Sequence, residues 1–192
     1  MSETPNHTPQ TGGNASLFGR LSRRQLLLAA AGGTMAAVAG GAGGLAWLRG
    51  GAPEVSGLTI LSSRAYETLQ CIALAHIPPG GAFENSAADR DLPRLFDTFL
   101  ADEPVRIQRN AKLAILVVEY GPLRYDGRLT SFSNLEPEAR IVHWDQWVTS
   151  PDPFRQQVSL AFRKFFSLAF YDHPDAWQHI GYHGPSYSPP PA

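Results

Sequence analysis

Residues 26–48 carry no charged side chain, and an arginine pair, Arg23-Arg24, stands one position before that stretch. The run Ser22-Arg23-Arg24-Gln25-Leu26-Leu27 places a polar residue, two arginines, a variable position and two large apolar residues in the order of a twin-arginine export signal. Six glycines and many alanines make the uncharged stretch long without making it strongly hydrophobic, which suits a signal of this class. A run of this length also suffices to span hydrocarbon, so an uncleaved anchor is the competing reading. Ala37-Val38-Ala39 is a small-x-small cleavage site, although an early one. Residues 1–48 are thus expected to be a disordered cytoplasmic n-region followed by the signal or anchor.

Setting that segment aside leaves about 140 residues, the size of one ordinary domain. Removing Arg20, Arg23, Arg24 and Glu3 leaves 13 basic against 16 acidic side chains, with no long run of either sign. Nucleic-acid binding is excluded on this ground, because it requires a basic stripe to neutralise phosphates. Cys71 is the only cysteine. An internal disulfide, an iron-sulfur cluster, a Cys-rich zinc site and a c-type haem attachment box are therefore all excluded for this chain.

Apolar spacing predicts an all-α fold, a single bundle of about five main helices in residues 61–185, after a linker at 49–60 and before a disordered tail at 186–192. Ser62 or Ser63 caps the first helix, which runs to about His76 with Tyr66, Leu69, Ile72, Ala73 and Ile77 on one face. Pro78-Pro79-Gly80-Gly81 ends it. Asp91 caps a second series, Leu92, Leu95, Phe96, Phe99 and Leu100. Pro104 opens a third, carried by Ile107, Ala111, Ala114, Ile115 and Val118 to a stop at Gly121, with a loop expected over 123–134. Pro137 starts a fourth, on which Ile141, Trp144, Trp147 and Val148 recur. Asp152 and Pro153 start the longest, whose broad aromatic face contains Val158, Phe162, Phe165, Phe166, Ala169 and Phe170. Pro174 begins a final short turn through about His179.

Catalytic signatures are missing: the sequence contains no GxSxG, no GxGxxG after a strand, no Walker loop and no HExxH. His173, His179 and His183, with Asp172 and Asp175, are the residues that would ligate a metal in an exported metal-binding or enzymatic bundle, although Gly181 interrupts the helix that would align them. His143 reads as a surface or boundary residue beside Trp144. Cys71 reads as a small buried hydrophobe without a cationic neighbour. The least ordinary segment is the ending Trp177-Gln178-His179-Ile180-Gly181-Tyr182-His183-Gly184-Pro185. Two glycines and a proline make a compact turn there, and Trp and Tyr serve either as a lock against the bundle or as anchors for a partner.

The combined pattern of a twin-arginine signal, a helix ending Ile77-Pro78-Pro79 and the closing Trp177-x-x-Ile180-Gly181-Tyr182-x-Gly184-Pro185 resembles the gluconate 2-dehydrogenase subunit 3 family, over roughly residues 61–185. The resemblance implies a non-catalytic small subunit that accompanies a flavin-dependent sugar or alcohol dehydrogenase of the glucose-methanol-choline type, in many cases with a c-type cytochrome. It implies no cofactor in this chain and FAD in the partner subunit. It further implies that Ser22, Arg23, Arg24, Leu26 and Leu27 address the twin-arginine translocase, and that the folded partner is carried across with this chain. The destination would be the periplasm or the outer face of the membrane. Retention of residues 26–48 would instead leave a membrane-anchored interaction module.

Overall fold

A computed structural model describes residues 52–81 and 85–184. The export-signal residues and Pro185 lie outside the described residues. Among the described residues there are seven α-helices and no strand, which makes the fold all-α. Five helices have ten residues or more: α1 (Ser63–His76), α2 (Leu92–Ala101), α3 (Val105–Glu119), α5 (Pro137–Val148) and α6 (Pro153–Tyr171). Two are short, α4 (Gly121–Tyr125) and α7 (Pro174–Trp177). None of the described helices is long and apolar enough to cross a membrane.

The helix starts follow local chemistry. The hydroxyl of Ser62 accepts the Ala65 N–H, Asp91 accepts the Arg94 N–H, and Asp152 accepts the Phe154 N–H, each satisfying a first-turn donor that has no partner inside the helix. Pro137, Pro153 and Pro174 occupy the first helical position, where a missing N–H has no cost.

Helix α1 lies at the centre, against α2, α3, α5 and α6, with Leu69, Ile72 and Ala73 wholly buried. The aromatic face of α6 meets α2 at Phe96, whose ring stands edge-on to Phe165 at 4.8 Å and lies 6.0 Å from Phe162. Offset and edge-on pairs of this kind add to the stabilisation from area burial. Leu95 and Ile141, which spacing assigns to apolar faces, are exposed instead.

Gly121 does not simply stop α3. The chain breaks at Tyr120 and resumes as α4 from Gly121, so the expected loop begins only after Tyr125. A Cβ at Gly121 would lie 2.8 Å from Nε2 of His143 and 3.1 Å from Cζ2 of Trp147. The glycine is there because the backbone passes directly over these two rings.

Residues 55–61 form no helix, yet they are bound to the bundle. Thr59, Ile60 and Leu61 donate their backbone N–H groups to the Asp97 carboxylate at 2.7, 2.9 and 2.7 Å, and the Arg94 guanidinium reaches the carbonyls of Ser56 and Gly57. Burial works to raise the pKa of Asp97, but the three N–H groups and Arg94 outweigh it and hold the carboxyl below its ordinary 3.8. The first part of the domain is thereby tied to α2.

Candidate partner interface

The C-terminal element is built on the end of α6. His173 caps α7, its Nδ1 accepting the Asp175 N–H at 3.4 Å, and Pro174 starts the single turn that carries Trp177. A 3-10 turn over Gln178–Ile180 follows, and Gly181 ends it in the left-handed region at φ 67°. That reversal lets the Tyr182 N–H donate to the Trp177 carbonyl at 3.0 Å, the bond by which a left-handed residue closes a helix end.

Trp177 is held from several sides. Its indole N–H donates to the Tyr171 carbonyl at 2.8 Å, and the Tyr182 ring meets its ring edge-on at 5.2 Å. Gly184, at φ 97°, brings the chain back over the indole so closely that a Cβ there would lie 3.2 Å from Cζ3. Of the two roles open to this segment, Trp177 takes the lock. The outward-facing side chains are Ile180 and Tyr182, 50% and 45% exposed, and the last turns of α6 add exposed Leu168 and Tyr171. The ending thus separates into an inner half that fixes the turn and an outer half that presents apolar and aromatic surface.

No family model, curated protein or solved structure matches the chain.

The C-terminal histidines are not drawn together. His173 serves as a cap and lies 3.2 Å from Asp175, while His179 and His183 are exposed. Among the described residues no group of three or more His, Cys, Asp or Glu is placed to hold a metal ion. Beside the turn, an open groove of about 480 Å³ runs between Asp172, His173 and Asp175 on one wall and Asp91, Arg94 and Leu95 on the other. The chemistry this region offers is recognition: aromatic and aliphatic contact, the phenol hydroxyls of Tyr171 and Tyr182 and a partly acidic rim.

Three buried polar groups have no counterpart in the reading of the sequence. His143, expected near the surface, is 1% exposed. It sits beneath α4 because Asp126 lies 2.6 Å from its Nδ1 and the Trp147 indole N–H reaches its Nε2 at 3.0 Å, so both polar ends of the ring are satisfied without water. Glu119, also buried, accepts from the Thr68 hydroxyl and from the N–H and hydroxyl of Ser133, and lies 3.2 Å from Arg64 Nε. It binds the 131–133 loop to α1 and α3. Asp97 performs the corresponding task for residues 59–61. The signal in sequence is a polar side chain in phase with a buried face: His143 is four positions from Trp147, and Glu119 is four positions from Ile115. Cys71 is buried, as its position among apolar residues suggests, and burial pushes its thiol up to about 11, far from the reactive thiolate range.

Proposed function

We propose that this chain is the non-catalytic small subunit of an exported flavin-dependent dehydrogenase of the glucose-methanol-choline type, docking its partner through the outer half of the C-terminal turn. The observation that carries the reading is the holding of Trp177 by the Tyr171 carbonyl, Tyr182 and Gly184, which leaves Ile180 and Tyr182 exposed on a turn already ordered. Association normally opposes itself by the entropy of ordering interface side chains and loops, and a pre-formed turn avoids much of that cost. Exposed aromatic anchors set on such a turn are the kind of residue that dominates interface energetics.

The signal read at Ser22, Arg23, Arg24, Leu26 and Leu27 gives the interface a purpose. A flavoprotein acquires FAD as it folds in the cytoplasm, and the twin-arginine route moves folded cargo. One signal on the small subunit then exports both chains, to the periplasm or to the outer face of the membrane. In this account FAD belongs to the partner, and electrons leave through cofactors held by other chains, such as a c-type cytochrome.

Purification of the tagged full chain from membrane and soluble extracts of its native host tests the reading. The expected result is a flavin absorption spectrum and a co-eluting dehydrogenase. A colourless protein that elutes alone from both extracts overturns it.

A further inference from the structure

Between Pro104 and Leu129 the basic side chains face solvent while both acids are paired with groups inside the protein, Asp126 from the surface. The five basic residues, Arg106, Arg109, Lys112, Arg124 and Arg128, are all exposed. The two acidic ones are both engaged inward, Glu119 with Thr68 and Ser133, and Asp126 with His143. The outer surface of α3 and α4 is therefore basic on a domain that carries more acids than bases. Exposed apolar side chains stand among the cations of α3: Val105 is 72% exposed and Leu116 is exposed, and both share a groove with Arg109 and Lys112.

The surface is also concave. One groove, of about 440 Å³, runs along Val105, Arg109 and Leu113; a second, of about 420 Å³, lies between α3 and the start of α1, with Ile60 and Ile115 on its walls. Lys112 and Leu116 line both, and the second is also lined by Arg64 and by Glu119, whose carboxylate is engaged with Thr68, Ser133 and Arg64. Apolar walls with a cationic rim are the complement of a segment that carries apolar side chains flanked by carboxylates. Such a segment is not available within this chain outside the described residues, where Glu3 and Glu84 are the only acids. A bilayer is flat and engages protruding residues, whereas paired grooves receive a rod.

We propose that the α3–α4 face seats an acidic, apolar-striped segment of the partner subunit, forming a second contact separate from the C-terminal turn. This rests on the accessory-subunit reading. Steering by the basic rim would speed encounter and set the orientation, while Val105, Leu113 and Leu116 supply the buried area.

The test uses the full chain, tagged in its native host, as wild type and as the double variant R109E/K112E. Both side chains are exposed and without an ion pair among the described residues, so thermal unfolding of the variant should match the wild type. The expected result is a drop of roughly ten-fold or more in co-eluting flavoprotein, with salt dependence strong for the wild type and weak for the variant. Undiminished co-elution overturns the inference and leaves the accessory-subunit reading standing. Absence of flavoprotein from the wild-type preparation overturns both. Two further results would replace the proposed occupant: charge-dependent binding to vesicles of phosphatidylcholine with about 30% phosphatidylglycerol, with co-elution unaffected, or charge-dependent dimers of this chain.

Discussion

Trp147 donates its indole N–H to Nε2 of His143 at 3.0 Å, and this one bond assigns the proton on a fully buried imidazole. An indole nitrogen is a donor only, so Nε2 must be the unprotonated acceptor and Nδ1 must carry the hydrogen given to Asp126 at 2.6 Å. Replacing His143 by Leu retains the volume but strands the Trp147 N–H inside the core. We expect a loss of about 1–3 kcal/mol, read from urea unfolding followed by tryptophan fluorescence. An unchanged midpoint would mean that the three-residue chain adds nothing to stability.

Acid should weaken the fold well before the carboxylates titrate. Burial, with the nearby Arg163 guanidinium adding to it, pushes His76 from the ordinary 6.5 down to about 4. His143 is lowered as well, burial outweighing the upward influence of Asp126. The unfolded chain then takes up protons below pH 6.5 that the folded chain declines, so stability is full above that value and falls as the pH drops toward about 4. Unfolding midpoints measured from pH 7.5 to 4.5 should decline, and His76→Gln should flatten the decline.

Gly121→Ala places a methyl group 2.8 Å from a histidine nitrogen that is fixed by two hydrogen bonds and has no room to withdraw. Overpacking at such a site costs about 1–3 kcal/mol. Differential scanning calorimetry of the variant should show a clear fall in Tm, whereas alanine at Gly127, where nothing lies within 4 Å of the added Cβ, should show only the smaller cost of its positive φ.

The starts of the helices are legible because they depend on neighbours in sequence: Ser62, Asp91 and Asp152 find their partners two or three positions ahead. The C-terminal turn is legible for the same reason, since Gly181 and Gly184 stand where the backbone takes positive φ. The buried polar groups are not. Asp97 is bonded to residues 36 to 38 positions away, and Glu119 to Thr68 across 51 positions, so their helical phase hints at burial but their partners cannot be read from neighbouring residues. His143 was hidden differently: an isolated imidazole is ordinarily at home on the surface, and only the loop that brings Asp126 against it makes burial tolerable. The break at Gly121 reads as an end because the rings that require the glycine lie on another helix.

Asp97→Asn should release the segment that leads into the domain. The amide has a single acceptor oxygen where the carboxylate uses two, and its NH2 would face backbone N–H groups. Hydrogen bonds to a charged acceptor are worth about 1.5–3 kcal/mol each when broken singly. Amide exchange at Thr59, Ile60 and Leu61 should accelerate while exchange within α5 changes little. Uniform acceleration would show that Asp97 supports the whole bundle and not this segment alone.

The outer half of the C-terminal turn, with the exposed end of α6 beside it, carries the proposed docking. The direct measurement is the affinity of the full chain for the flavoprotein proposed as its partner, compared between wild type and the double variant Leu168→Lys, Ile180→Asp, both exposed and neither among the groups that hold Trp177. Two exposed apolar residues replaced without touching the contacts that hold Trp177 should weaken binding by roughly thirty-fold or more, about 2 kcal/mol, with Tm unchanged. Binding as tight as wild type, with the turn intact, would contradict the assignment of this surface as the docking site.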